Sequence, residues 1–154
     1  MKKILITTGG TGGHVIPAKI IKEHLKDDFN VLYSTDERGR KYLTSDTLKT
    51  IIIDTPKFNS FIYMPFRLMK VIFLIFKAVI FLKKEKIEKV ISIGGYMSLP
   101  IIIAAKISKL SIILFEPNMV LGRGNKFFLN FSKNSVSKVS NSFNTSSNSS
   151  MNLN

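Results

Sequence analysis

The sequence predicts an α/β fold, a doubly wound parallel sheet, on three observations. Short apolar, β-branched runs recur at Lys2–Thr8, Asn30–Ser34, Lys49–Asp54, Lys89–Ile93 and Ser111–Phe115. Short runs without apolar–polar alternation read as strands buried on both faces. The segments between them carry helical patterns, so strand and helix alternate as a parallel sheet requires. Polar or glycine-bearing stretches follow three of the strands, at residues 9–14, 94–100 and 116–125. In an open α/β sheet the ligand crevice lies outside such strand ends.

The first strand, Lys2–Thr8, leads into Gly9-Gly10-Thr11-Gly12-Gly13-His14 and a helix over Val15–Lys26. Glycines let a ligand approach the main chain and can take positive φ. The unpaired N–H groups opening the next helix suit phosphate. The loop is not a P-loop, because His14 and Val15 stand where Lys and Ser or Thr are needed, and Val15 fails the small position of a dinucleotide fingerprint. Four glycines in five residues exceed what a tight turn needs, so a bound anion is expected. On the helix, Pro17 is read in the first turn, where its missing N–H costs nothing. Ile20, Ile21 and Leu25 are read as its apolar face, and His24 as a surface residue.

After the second strand, Asn30–Ser34, a short charged helix over Thr35–Leu43 carries Asp36, Glu37, Arg38 and Arg40, read as a solvated charge cluster ahead of the alternative, an anion contact by Arg38 or Arg40 at the strand end. Lys49–Asp54 is the third strand and Pro56–Ser60 a loop. From Ile62 to Leu82 the chain is strongly apolar, with Arg67, Lys70 and Lys77 interspersed. At about 100° per residue, those three and Lys84 share one helical sector, beside a broad face that includes Phe73 and Phe76. Three basic residues argue against spanning a bilayer. A basic stripe beside an aromatic-aliphatic face suits an anionic membrane surface, and a core helix with its lysines in water is the alternative. Lys83-Lys84-Glu85-Lys86 closes the helix and complements its C-terminal dipole.

The fourth strand, Lys89–Ile93, ends in Gly94-Gly95-Tyr96-Met97-Ser98-Leu99-Pro100, before a helix from Ile101 to about Lys109. Paired with the first loop at one sheet edge, this turn makes a bipartite phosphate-binding crevice. The fifth strand, Ser111–Phe115, is followed by Glu116-Pro117-Asn118 and by Gly122-Arg123-Gly124-Asn125-Lys126. A carboxylate at Glu116 either orients or deprotonates a hydroxyl, or caps the following helix.

The composition bounds the rest. A chain of 154 residues with 45% hydrophobic residues can build one domain with a core. It has no cysteine and two histidines, which exclude disulfides and leave little material for a metal site. A formal net charge of +13 implies an anionic partner: nucleic acid, an acidic membrane surface or a phosphorylated substrate. Nucleic acid ranks last, since no basic face interleaved with aromatics and no known module is present. Met1-Lys2-Lys3 imitates the start of a signal peptide, but the apolar run behind it is too short.

Taken together, the Gly9–His14 loop, the Gly94–Pro100 turn and the stretch from Glu116-Pro117-Asn118 to Gly124-Asn125-Lys126 resemble the N-terminal domain of the MurG family, from residue 1 to about residue 131. These are bacterial transferases of N-acetylglucosamine from UDP-GlcNAc to undecaprenyl-pyrophosphoryl-muramyl-pentapeptide, in peptidoglycan biosynthesis. The resemblance implies a Rossmann-like domain, the N-terminal half of a GT-B glycosyltransferase. It also implies an inverting transfer without cofactor or catalytic metal, at the cytoplasmic face of the inner membrane. By motif, Thr11, Gly12 and Gly13 would line the donor side and Asn118 would contact the UDP-sugar. His14 and Glu116 would be the catalytic groups, Tyr96 would lie on the acceptor side, and Gly94-Gly95 would help hold the acceptor pyrophosphate. Arg67, Lys70, Phe73, Phe76 and Lys77 would meet the membrane. The family often has His-Glu-Gln-Asn where this chain has Phe115-Glu116-Pro117-Asn118, which leaves no polar role for the first and third positions.

Residues 132–154 are mostly Ser and Asn, without apolar period, and read as a disordered tail with no further strand. The C-terminal, donor-binding domain of the family is read as absent. A frameshift, an early stop or a split gene with a separate partner chain would each produce this. A second function therefore stands beside the transferase: a non-enzymatic membrane-anchoring subunit that recruits a separate catalytic chain.

Overall fold

The protein was analysed as a computed structural model, which describes residues 1–43, 50–55, 64–116 and 136–141; for Met64, Tyr96, Glu116 and 136–141 the description is of the backbone alone. The elements in chain order are β1 (Lys2–Thr7), α1 (Gly12–Leu25), β2 (Phe29–Thr35), α2 (Glu37–Arg40), β3 (Thr50–Ile52), α3 (Met64–Lys84), β4 (Ile87–Ser92), α4 (Leu99–Ile107), β5 (Ser111–Glu116) and β6 (Val136–Asn141), with a 3-10 turn at Tyr96–Ser98 before α4. They form one parallel sheet in the order β3-β2-β1-β4-β5-β6. The chain steps outward from β1 to β2 and β3, then crosses back to β4 on the other side, so the switch point lies between β1 and β4.

Alternation along the strands builds two cores. Leu5, Leu32, Val90, Ile112 and Leu114 face one side and pack with Leu74, Ala78 and Leu82 of α3 and with Ile101, Ala104 and Ala105 of α4. Ile4, Ile6, Tyr33 and Ile91 face the other and pack with Val15 and Ala18 of α1. Burial on both faces is why these strands read as unbroken apolar runs.

Three expectations are corrected here. The helix after the first loop begins at Gly12, not Val15, so Pro17 sits inside it and forgoes the bond to the Gly13 carbonyl. Its core face is Val15 and Ala18, with Ile21 and Leu25 packed beside them, while Ile20 is exposed. A sixth strand, Val136–Asn141, stands in the stretch read as a strandless tail. Its valines are three residues apart, and an extra residue in β6 lets Ile112 pair with Val136 and Leu114 with Val139. The irregularity removes the period of two by which strands are recognised. The Pro56–Ser60 loop and residues 142–154 lie outside the described residues.

The long apolar helix is present as α3, and its wide apolar arc divides into a core face and an exposed face. Val71, Leu74, Ala78 and Leu82 are buried and share one side. On the opposite side Met69, Phe73, Phe76 and Ile80 are all exposed, Phe73 at 68% and Phe76 at 64%. Lys70, Lys77 and Lys84 are exposed and run between the two faces. So the water-facing side of α3 is apolar and only its flank is basic. Among the described residues no helix is long and apolar enough to cross a membrane.

Candidate functional site

The carboxyl edge of the sheet is polar by construction. Among the described residues, the buried polar side chains are Thr7 and Thr8 after β1, Ser34, Thr35 and Asp36 after β2, Thr55 after β3, and Ser92 and Ser98 around the turn after β4. Every one lies at or beyond the carboxyl end of a strand, and none at the other edge.

The two glycine turns meet there. A Cβ on Gly95 would lie 3.2 Å from Gly9 Cα, and one on Gly9 would lie 3.7 Å from the Gly94 oxygen and 3.8 Å from His14 Cγ. The loops after β1 and β4 therefore touch across the switch point, and the His14 ring lies beside Gly9. The two turns expected to share one sheet edge do lie together at it.

The glycines serve different ends. Gly94 and Gly95 have φ of 91° and 85°, a conformation that L side chains avoid. They fold β4 back into the 3-10 turn, and hydrogen bonds hold the reversal: Ser98 Oγ donates to the Gly94 oxygen at 3.0 Å, and Ser98 N–H to the Gly95 oxygen at 3.1 Å. In the first loop no glycine has positive φ. There Gly10 makes room for Asp36, because a side chain at Gly10 would overlap the Asp36 carboxylate. That carboxylate is buried, accepts from Gly39 N–H at 2.9 Å and pairs with Arg38 at 2.9 Å. Arg38 is therefore held by Asp36, which corrects the reading of a wholly solvated cluster. The Arg40–Glu37 pair, at 3.7 Å with both side chains exposed, fits that reading.

Gly12 and Gly13 are the first two residues of α1. Their N–H groups have no acceptor within the helix. Among the described residues nothing lies within 4 Å of a Cβ on Gly13, and only Tyr42 Cε1, at 4.0 Å, approaches one on Gly12. Neither glycine is required by packing or by handedness. The N-cap, Thr11, does not cap the backbone; its Oγ1 lies 2.8 Å from His14 Nδ1. The neighbours Tyr42 and Asp36 and the Thr11–His14 bond were not singled out from the sequence. The bond had a signal, since an N-cap Thr and the residue three further on are the partners of a capping box.

Glu116 ends β5, beside β4, and Tyr96 opens the 3-10 turn, so the backbone brings both to the edge that carries the glycine turns. Asn118 and Gly122–Lys126 lie outside the described residues. Of the membrane-contact set, Lys70, Phe73, Phe76 and Lys77 are exposed together, whereas Arg67 lies on the buried side of α3. Among the described residues no cluster of three His, Asp or Glu could hold a metal ion.

Comparison with known proteins shows the family and the fold. The chain is 51% identical over 131 residues to the UDP-N-acetylglucosamine–N-acetylmuramyl-(pentapeptide) pyrophosphoryl-undecaprenol N-acetylglucosamine transferase of Pelagibacter ubique, covering 84% of this chain and 37% of the relative. The protein of the same name from Prochlorococcus marinus subsp. pastoris is 37% identical over 128 residues, covering 81% of this chain and 35% of that one. The crystal structure of Acinetobacter baumannii MurG superposes with a TM-score of 0.77 at 23% identity, over 90% of this chain and 41% of that one. The chain thus spans little more than a third of the length of the curated relatives it matches. The glycosyltransferase family 28 N-terminal domain matches residues 4–137, and the chain belongs to that family.

Proposed function

We propose that this chain is the acceptor-holding half of an inverting glycosyltransferase. The reaction moves N-acetylglucosamine from UDP-GlcNAc to a hydroxyl of undecaprenyl-pyrophosphoryl-MurNAc-pentapeptide. The observation that carries the reading is the contact of the two glycine turns at the switch point, with His14 beside it. The Pelagibacter relative, by its name, transfers N-acetylglucosamine to such an acceptor.

In the transfer the acceptor oxygen bonds to the anomeric carbon, the bond from that carbon to UDP breaks, and the hydroxyl proton passes to a base. With Nδ1–H donated to Thr11 Oγ1, His14 Nε2 holds the lone pair a base needs. Glu116 is the second catalytic group, and Tyr96 and Asn118 are substrate contacts. The open N–H groups of Gly12 and Gly13 face the donor, and Gly94-Gly95 the acceptor pyrophosphate. Half a cleft cannot hold sugar nucleotide against acceptor, so the chain alone is expected to transfer next to nothing.

The test is a fusion of residues 1–131 to the remainder of the Pelagibacter relative. The fusion should transfer GlcNAc to a lipid-linked acceptor, and H14A should slow it by about 10²–10⁴-fold. A folded fusion that transfers nothing, or transfers equally well with H14A, overturns the reading.

The exposed apolar side of α3 with its lysine flank supports contact with an anionic membrane surface. The same face favours the second reading, a non-enzymatic anchoring subunit for a separate catalytic chain. Sedimentation with anionic vesicles should be abolished by the K70E/K77E double variant. Unchanged sedimentation removes the membrane role, and an inactive fusion that still binds vesicles favours the anchor.

A further inference from the structure

The long helix is longer than the sheet it covers. Its 21 residues rise about 31 Å, whereas the six residues of β4 span about 20 Å. Two residues, Glu85 and Lys86, join α3 to β4, so the helix starts its run flush with the amino edge of the sheet. Its other end therefore overshoots the carboxyl edge by about 10 Å, close to two turns. The core agrees, since Leu74 is the earliest α3 residue packed with the strand residues Leu5 and Leu32. Arg67 lies in the overhang. It shares the azimuth of Leu74 and Ala78, the side that faces the sheet and α4, and not that of Lys70 and Lys77. Its guanidinium is thus carried over the carboxyl edge on the side where α4 begins.

Arg67 Nη1 is buried, and no acceptor meets it among the described residues. Arg67 as a residue is only partly buried, so the cost falls on this one nitrogen, whose N–H donors lose water and gain no partner. It also sits at an edge where glycine-turn and helix N-terminal N–H groups already favour anions. We propose that Arg67 is an anion-binding residue of the cleft, whose fork takes a phosphate of the acceptor's pyrophosphate as the lipid chain runs out along α3. The inference rests on the acceptor-half reading and adds a residue to it. It also withdraws Arg67 from the membrane stripe.

Titration calorimetry on the full chain, with inorganic pyrophosphate and with a short-chain prenyl pyrophosphate, tests it. The R67Q variant should bind both probes about tenfold or more weakly, the size of a lost charge-assisted pair. R67K keeps the charge and loses the fork, so it should fall between; it carries the test if R67Q fails to fold. R67M should melt no lower than the parent, since it removes an unsatisfied charge; a structural arginine would melt lower. If R67Q binds both probes like the parent, the inference falls and the acceptor reading stands. If R67Q instead loses sedimentation with anionic vesicles, a bilayer headgroup is the ligand and the inference falls. Arg67-dependent binding of inorganic pyrophosphate with no gain for the prenyl form keeps the anion site and sinks the acceptor reading. A parent chain that binds neither probe overturns both.

Discussion

The turn after β1 and the turn after β4 look alike in sequence and are built on different physics. The second is a reversal: two residues at positive φ send the chain back, and hydroxyls of Ser92 and Ser98 hold it. The first turns no sharp corner. Its glycines are there for room, and the room is used in three ways. Gly9 lets the second turn and the His14 ring come close, Gly10 admits the Asp36 carboxylate, and Gly12 and Gly13 leave space open. A glycine required by neighbours is part of the fold. One with no neighbour among the described residues leaves room that the fold itself does not use.

That difference breaks most visibly at Gly10. G10A would place a methyl group on the buried Asp36 carboxylate, which Gly39 N–H and Arg38 hold in place. Displacing it uncaps α2 and strips a buried charge of its partners, so urea denaturation should show a loss of about 3 kcal/mol or more. A loss under about 0.5 kcal/mol would mean that the carboxylate moves aside freely, and Gly10 would join the open pair.

The second turn gives a smaller penalty of another kind. In G95A an alanine must hold φ near +85° with its Cβ 3.2 Å from Gly9 Cα. Backbone strain and a tight contact should together cost about 2 kcal/mol. Because the contact is with Gly9, the variant should also disturb the His14 ring beside it, visible as a shift of its imidazole resonances. Full stability in G95A would show that the reversal does not need its handedness.

Most of the fold was legible because the central strands are buried on both faces, so runs such as Ile4-Leu5-Ile6 and Val90-Ile91 stand out whatever their neighbours do. The strand Val136–Asn141 was not legible, because its valines are spaced around an extra residue in β6 that only the pairing reveals. The edge carrying the site was legible from the glycine turns. Their inner division was not, since Asp36 and Gly10 are far apart in sequence and meet only in the sheet. On α3 the exposed lysine flank was legible, while Arg67 was placed with it and instead shares the azimuth of the core face. Periodicity finds a polar flank, but both of the other sides are apolar, and only the packing of Leu74 and Ala78 says which is core.

Gly13 offers the smallest effect on stability and the clearest sign. Nothing among the described residues lies within 4 Å of a Cβ there, and its φ is not positive. Alanine in the first turn of α1 should raise stability by about 0.5 kcal/mol, since glycine spends backbone entropy that alanine does not. If the fold alone had shaped the loop, that gain would come free. If the space serves a ligand that comes against the Gly12 and Gly13 N–H groups, the methyl group stands in its way. G13A in the active fusion should then raise the KM for UDP-GlcNAc while the denaturation midpoint moves up. An unchanged KM in the more stable variant would leave the two open glycines without a reason and remove the donor from this side of the cleft. The opposite movement of stability and binding is what separates a glycine kept for a ligand from one kept for the chain.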